Sequence, residues 1–466
     1  MSVMSVRIAA PPADVQPVVK ESFAAVVSRA IATGGDRLGD ALLEAVPEMK
    51  WYTAKDGGEI AVTPGITEPL PDAELYRTVG ALVALYSQLK NQPDLVNFVA
   101  GVNTDSYTAY GDQFVRMCNL KDPNGPERNV MYYLMATHDV GKSSNFRALV
   151  NRFLSDEQKT DNHDTVLGHA FDIASSDPTR PGYAEVNAAL PNLRRLPHAH
   201  QRGLAAAFLS DFHLPQLMQG ESSVLALRGL FKANLTKELM AMYLYHSIFD
   251  VAGGGCTKPG AKPAAIKPVY EWSKVIVSLL ELSPPDDVTG YHSILFDAAK
   301  KVDSMKDLLG DTYHFHDTDE FVFLRFMAMS RNSFADPAKV KAAIKGEEFA
   351  TLRSELSGGA GNPQIMIYYA PDLVQKTLVK DDADKEDYVS TLHVLDKLFK
   401  MARAELAGNS REMTFEVNVD KLNKHINEIK KASPVFGGLD LLNLVNSSML
   451  SLEVNEAKTE ALLVLH

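Results

Sequence analysis

The densest chemistry in the chain lies in one short run. Leu134-Met135-Ala136-Thr137 is mostly apolar and delivers His138 beside Asp139, followed by Val140-Gly141-Lys142-Ser143. A side-by-side imidazole and carboxylate can reach one cation, giving it a borderline nitrogen ligand and a hard oxygen ligand. Lys142 comes four residues after His138 and puts a positive group near any anion that such a cation attracts. The plainer reading is a buried histidine hydrogen-bonded by the neighbouring carboxylate. The Gly141-Lys142 turn at the end of an apolar run favours the metal.

The other histidines strengthen that reading. None precedes His138, although the chain has 13. His163, His169, His198, His200 and His213 follow, with His246 next. Histidine is the commonest metal ligand. On a helix, His246 and Asp250 stand at i and i+4 and share a face. His169 and His198 read better as supporting or surface groups, and His213 and His246 as core polar residues. His314-Phe315-His316-Asp317, flanked by Asp311, Asp319 and Glu320, reads as a solvated charged surface.

Thr137-His138-Asp139-Val140-Gly141-Lys142 resembles the central motif of the HD-domain superfamily of metal-dependent phosphohydrolases. That family is an all-α bundle. Its metal ligands arrive in the order His, His-Asp, optional further His, and a final Asp. Asn162-His163-Asp164-Thr165-Val166-Leu167-Gly168 resembles the family's later histidine, Pro197-His198-Ala199-His200 follows, and Asp250 sits where the final Asp is expected. The resemblance covers about residues 105–251, and only its central motif is specific. In Gln113-Phe114-Val115-Arg116 a glutamine occupies the place of the family's first histidine, which leaves a weaker ligand there.

The resemblance implies a divalent metal (Mn, Mg, Fe or Zn) held by His138, Asp139 and Asp250, with His163 and His200 as further ligands. Such a metal lowers the pKa of a bound water for attack on phosphorus. Lys142, Arg147 and Arg202 would neutralise phosphate charge, and His163 or His200 would protonate the leaving oxygen. The catalytic set implied is therefore Lys142, His163 and His200. The substrate implied is a small anionic phosphate ester, with nucleotides among the candidates. Two alternatives stay open: a di-iron oxygenase of the same superfamily, and a catalytically degenerate binding or scaffold protein, which Gln113 favours. Ala136 to Ser143 also fits a loose phosphate-loop pattern. That pattern needs Val130–Met135 to be a buried strand feeding a helix.

The positioning elements read as helices. Pro71-Asp72 opens one with the stripe Leu75, Val79, Leu82, Tyr86 and Leu89. Arg128–His138 is an apolar helix. Asn145–Phe153, His163–Ala174, His198–Leu209 and Leu235–Val251 follow, and Glu386–Leu406 carries Leu392, Leu395, Phe399 and Ala402 on one stripe. Gln364–Tyr369 and Thr414–Val417 are β-like, and Ala461–Leu465 is a strand or a packed end. The expected fold is all-α with minor short strands: an HD-type bundle at 105–252, a helical extension at 1–104, and a helical region at 253–466 set off by Gly253-Gly254-Gly255. That last region is expected to cover the pocket or to mediate homo-oligomerisation.

Composition bounds the rest. With 59 acidic and 47 basic side chains the net charge is −12, which excludes a nucleic-acid coat. Two cysteines, Cys118 and Cys256, cannot staple 466 residues, so a reducing compartment is expected. No leader-like or membrane-spanning stretch is read, and the expectation is a cytoplasmic protein.

Overall fold

The computed structural model describes residues 22–52, 73–92, 104–156, 158–253, 263–302, 318–330, 337–360, 363–377, 387–407, 414–432, 437–447, 450–454 and 460–465. The His314–Asp317 cluster and residues 254–262 lie outside them. The fold is mostly helical with one small sheet, as the patterning predicts. Among the described residues no helix is long and apolar enough to cross a membrane.

The first helices are α1 (Phe23–Thr33), α2 (Leu38–Ala45), α3 (Ala73–Lys90), α4 (Thr104–Met117) and α5 (Pro126–Thr137). Next come α6 (Ser144–Asn151), α7 (His163–Ala174), α8 (Tyr183–Ala189), α9 (His198–Phe208), α10 (Leu214–Met218), α11 (Ala226–Ala233) and α12 (Lys237–Gly253). α13 (Pro263–Leu279), α14 (Val288–Ala299) and α15 (Thr318–Ser330) lead to the C-terminal part. There, α16 (Pro337–Ile344), α17 (Ala350–Ser357), α18 (Ala370–Thr377), α19 (Asp387–Glu405), α20 (Asp420–Ala432) and α21 (Gly438–Asn446) surround the strands.

The sheet has four strands: β1 (Ile365–Tyr368), β2 (Phe415–Asn418), β3 (Leu450–Val454) and β4 (Glu460–Leu465), in the order β1-β2-β4-β3. β1 and β2 are parallel, with Ile365 opposite Phe415. β2 and β4 are also parallel, and β3 runs antiparallel to β4. The parallel pairs need long crossovers, and α18 and α19 lie in the one from β1 to β2. The expected stripe of α19 is the face it buries: Leu392, Leu395, Phe399 and Ala402 are all core residues.

Apolar packing divides the molecule in two. One core runs from Phe23 to Leu324, and the other from Val322 to Leu463. The Gly-rich stretch after α12 does not separate them, because Tyr270, Ile276, Leu295 and Phe296 of α13 and α14 belong to the first core. The division falls within α15. Phe321 and Leu324 face the helical body, and Val322, Phe323 and Phe326 face the sheet lobe. Arg325 crosses the seam from the same helix. Its guanidinium is buried and donates to the carbonyls of Gly220, Glu221 and Leu356.

Within the body, α5 is buried continuously from Val130 to Thr137, which is what its apolar run requires. It begins with Pro126 at its first turn, where a missing N–H costs nothing. α3 crosses α12 at a pair of glycines. A Cβ at Gly253 would lie 2.3 Å from the Arg77 carbonyl oxygen, and one at Gly80 would lie 3.0 Å from that of Gly253. Only this absence of side chains lets the two backbones touch.

Glu221 sits on the seam and accepts a hydrogen bond from the backbone N–H of Tyr369 at 2.8 Å. Burial raises its carboxyl to about 8, against the pull of the Tyr369 and Ala370 amides and of Arg325. A raised carboxyl stabilises the fold fully below its ordinary value of 4.5, and that contribution is lost as pH rises through about 8. The melting temperature is therefore expected to fall by a few degrees between about pH 5 and 8 and to level off above that. Glu221→Gln, which keeps the acceptor oxygen, should flatten that slope. A wild-type slope unchanged by the substitution, read by scanning fluorimetry, would remove Glu221 as its cause.

Candidate metal centre

α5 stops at His138, whose backbone N–H still bonds to the Leu134 carbonyl. Asp139 leaves helical geometry, and Val140–Lys142 form a single 3₁₀ turn. Ser143 then caps α6 by accepting from the Phe146 N–H. This break aims the two side chains inward and turns Lys142 back over them. Gly141 is essential to the turn. A Cβ there would lie 2.0 Å from the carbonyl oxygen of His163, so the start of α7 packs directly on the turn.

Four chain segments converge at this point. His138 Nε2 lies 3.2 Å from Asp250 Oδ1 and 3.4 Å from Asp139 Oδ2. The other ring nitrogen, Nδ1, is 2.9 Å from the Met135 carbonyl oxygen, which fixes the ring. Lys142 Nζ is 2.8 Å from Asp139 Oδ2 and 3.3 Å from Glu74 Oε2. Arg77 bonds to Asp250 Oδ1 at 3.0 Å and to Glu74 at 3.2 Å. His163 Nε2 stands 3.6 Å from Asp139 Oδ1. The His138 and Asp139 side chains are 5% exposed, whereas Asp250 keeps 29% and His163 33%. The floor is dry and the rim is open.

Burial works against every charge here, and the pairing overcomes it. Burial depresses the His138 imidazolium, but Asp139 and Asp250 raise its pKa to about 10. Asp250 is brought down to about 2 by the His138 hydrogen bond and by Arg77, against burial and the like charge of Asp139. Lys142 and His138 hold Asp139 well below the usual carboxylate range. Asp139 and Glu74 hold Lys142 above its ordinary value. His246 goes the other way: burial and the neighbouring His138 charge depress it, so it stays neutral, bonded to the Tyr243 carbonyl.

One imidazole nitrogen and one oxygen each from Asp139 and Asp250 lie within 4.8 Å of one another. That donor set suits a divalent ion of the manganese, iron or zinc type. The structure thus brings together His138, Asp139, Asp250 and Lys142, with His163 at the edge.

It does not bring in the others. Arg202 pairs with Asp172 at 3.1 Å on an exposed face. Arg147 is half-buried on α6 and forms no ion pair among the described residues. His200 lies outside the cluster, and its buried Nδ1 has no hydrogen-bond partner among the described residues. Gln113 donates instead to Tyr245 Oη at 2.6 Å and to the Tyr270 carbonyl at 3.0 Å. Tyr245 precedes His246 on α12, so it points about 100° round the helix from it. The phosphate-loop reading fails because Val130–Met135 is helix, not strand.

Glu74 and Arg77 are the residues that sequence reasoning missed. They sit at i and i+3 in the first turns of α3, on the side facing α12. The signal that sequence offered was only an acidic and a basic residue three apart beside the apolar stripe of that helix.

A mostly helical protein with a buried His-carboxylate cluster and a small sheet lobe is the class that fold and site define. The chain belongs to DUF6829, a family of unknown function, whose model matches residues 73–433. No curated protein and no solved structure matches it. The matched span opens at α3, just before Glu74, and so takes in every residue of the cluster.

Gly141→Ala is expected to destabilise the fold by about 1–3 kcal/mol, because the His163 carbonyl must give way. Gly39→Ala in α2 has no atom within 4 Å of the added Cβ. It should be neutral or stabilising by up to about 1 kcal/mol. Denaturant unfolding compares the two, and equal effects would show that the turn does not pack as described.

Proposed function

We propose that this protein is a metal-dependent hydrolase of a small phosphate ester, with a divergent HD-type site. The observation that carries the reading is the convergence of His138, Asp139 and Asp250 from two helix ends onto one point beside two cations. A divalent ion held there supplies Lewis acidity and an activated water.

Charge balance gives the site its preference for anions. Three carboxylates (Glu74, Asp139 and Asp250) face two permanent cations, Arg77 and Lys142. A protonated His138 completes neutrality. A divalent ion that displaces this proton leaves one positive charge in excess, at an opening rimmed by cations. Lys142 and Arg77 are placed to meet the charge of a phosphate. His163, one-third exposed and held near Asp139, is placed to hold or pass a proton to a leaving oxygen.

A second reading has its own observation. Without an ion, the network of Arg77, Lys142 and protonated His138 already satisfies all three carboxylates. On that reading the cluster is structural, and the protein binds or organises a partner.

The two readings separate on metal content and on turnover of a panel of phosphate monoesters and nucleotides. On the hydrolase reading the chelated protein takes up Mn²⁺, with release of about one proton per ion at about pH 8. Phosphate release should fall by about 10³-fold in Asp139→Asn and in Asp250→Asn. His200→Gln should stay within about twofold of wild type, because His200 lies outside the cluster. Proton-linked uptake is followed by calorimetry in buffers of different ionisation enthalpy. A folded protein that takes up no ion at the His138 cluster and turns over no ester sinks the hydrolase and leaves the second reading.

A further inference from the structure

A second convergence of ligating side chains lies on the seam between the helical body and the sheet lobe. Asp211 and His213, between α9 and α10, meet Glu416 of β2. One ring nitrogen of His213 and one carboxylate oxygen from each of the other two lie within 4.8 Å of one another. We infer that these three residues form a divalent-cation site that fastens the sheet lobe onto the helical body.

The surroundings are built for it. Asp211 Oδ2 accepts a 2.9 Å hydrogen bond from the N–H of Thr414, two residues before Glu416, which fixes the entry of β2. Glu416 Oε1 accepts from Asn162 Nδ2 at 2.9 Å. Asp164 Oδ2 stands 3.5 Å from His213 Nδ1, a carboxylate behind the ring of the kind that orients ligating histidines. All three ligands are half-buried. Asp211 and Thr414 also line a cavity of about 190 Å³ on the seam. One imidazole and two carboxylates suit Mn²⁺, Zn²⁺ or Fe²⁺, with water completing the shell.

The placement gives the ion a role. Asn162, which holds Glu416, is also the N-cap of α7, whose first residue is His163. Asp164 lies 3.6 Å from His163 and 3.5 Å from His213. A cation on the seam therefore ties β2 to the cap of α7 and so to the histidine at the rim of the His138 cluster. The inference does not depend on what chemistry occurs at His138.

The test uses the full chain, stripped with chelator and titrated with Mn²⁺ alone, reading bound equivalents by elemental analysis and melting temperature by fluorimetry. Asp250→Asn, which disables the His138 cluster, should still bind one equivalent and melt higher with Mn²⁺. Adding Glu416→Gln or His213→Gln to it should weaken that binding by about 100-fold and remove the thermal shift. Glu416→Gln keeps the acceptor for Asn162, so its metal-free melting temperature should match wild type. His213→Gln serves where the other variant fails to fold. Wild type binding one equivalent that is lost in Glu416→Gln but kept in Asp250→Asn supports this site and removes the other. The inference is overturned if bound metal and thermal shift are the same with and without Glu416→Gln or His213→Gln, or if Asp250→Asn binds nothing.

Discussion

Burying carboxylates is the constraint that organises the body of this protein. Glu74 and Asp139 have almost no exposed side-chain surface, and Asp250 is half-buried beside them. Left without partners, each would cost several kcal/mol in desolvation. The fold must therefore deliver cations to the same place from elsewhere in the chain. Lys142 comes from the turn that ends α5, and Arg77 comes from α3. Arg77 reaches Asp250 only because α3 and α12 touch at Gly80 and Gly253. A charge problem in the core has thus set a helix crossing, and the crossing in turn requires glycine on both helices.

The same logic explains why the break after α5 is where it is. The 3₁₀ turn ends the helix there and keeps Lys142 on Asp139, at 2.8 Å. Gly141 then lets the start of α7 close over the turn and hold His163 beside Asp139. Each residue of the His-Asp-x-Gly-Lys run has a local task. His138 and Asp139 are the polar pair, Gly141 is the packing gap, and Lys142 is the counter-charge.

Much of this was legible from sequence where the signal was local. The apolar run of α5, the i, i+4 spacing of His246 and Asp250, the stripe of α19 and the short runs at β1 and β2 all follow from local side-chain pattern, which left β4 as either a strand or a packed end. The partners of the cluster were harder to read. Assigning the missing ligand position to Gln113 assumed that α4 lies over the cluster, but α4 meets α12 at Tyr245, on a different face. The helix that does lie over it is α3, and its apolar stripe hid Glu74 and Arg77. β3 escaped because Leu450–Val454 earns its strand only by pairing with β4, a contact that no local pattern encodes. The resemblance to HD domains implied Arg202 and His200 at the site, yet α9 turns Arg202 outward to Asp172.

The seam between the lobes bears on the cluster more than distance along the chain implies. Asn162 is pulled two ways, capping α7 through its carbonyl oxygen and holding Glu416 through its amide nitrogen. Nearby, Tyr369 at the end of β1 adopts a left-handed backbone with φ 69°, which a large side chain rarely does. It is held there by Glu221 on its N–H and by Asn423 on its carbonyl. Lys142 and Glu221 are among the charges that act on its phenol. The sheet lobe is thus anchored to the body through polar groups that also touch the first residues of α7 and the field around Lys142. A lobe fixed by apolar contact alone could slide along the seam without changing the cluster. Fixed through Asn162 and Tyr369, it cannot move without disturbing the cap beneath His163.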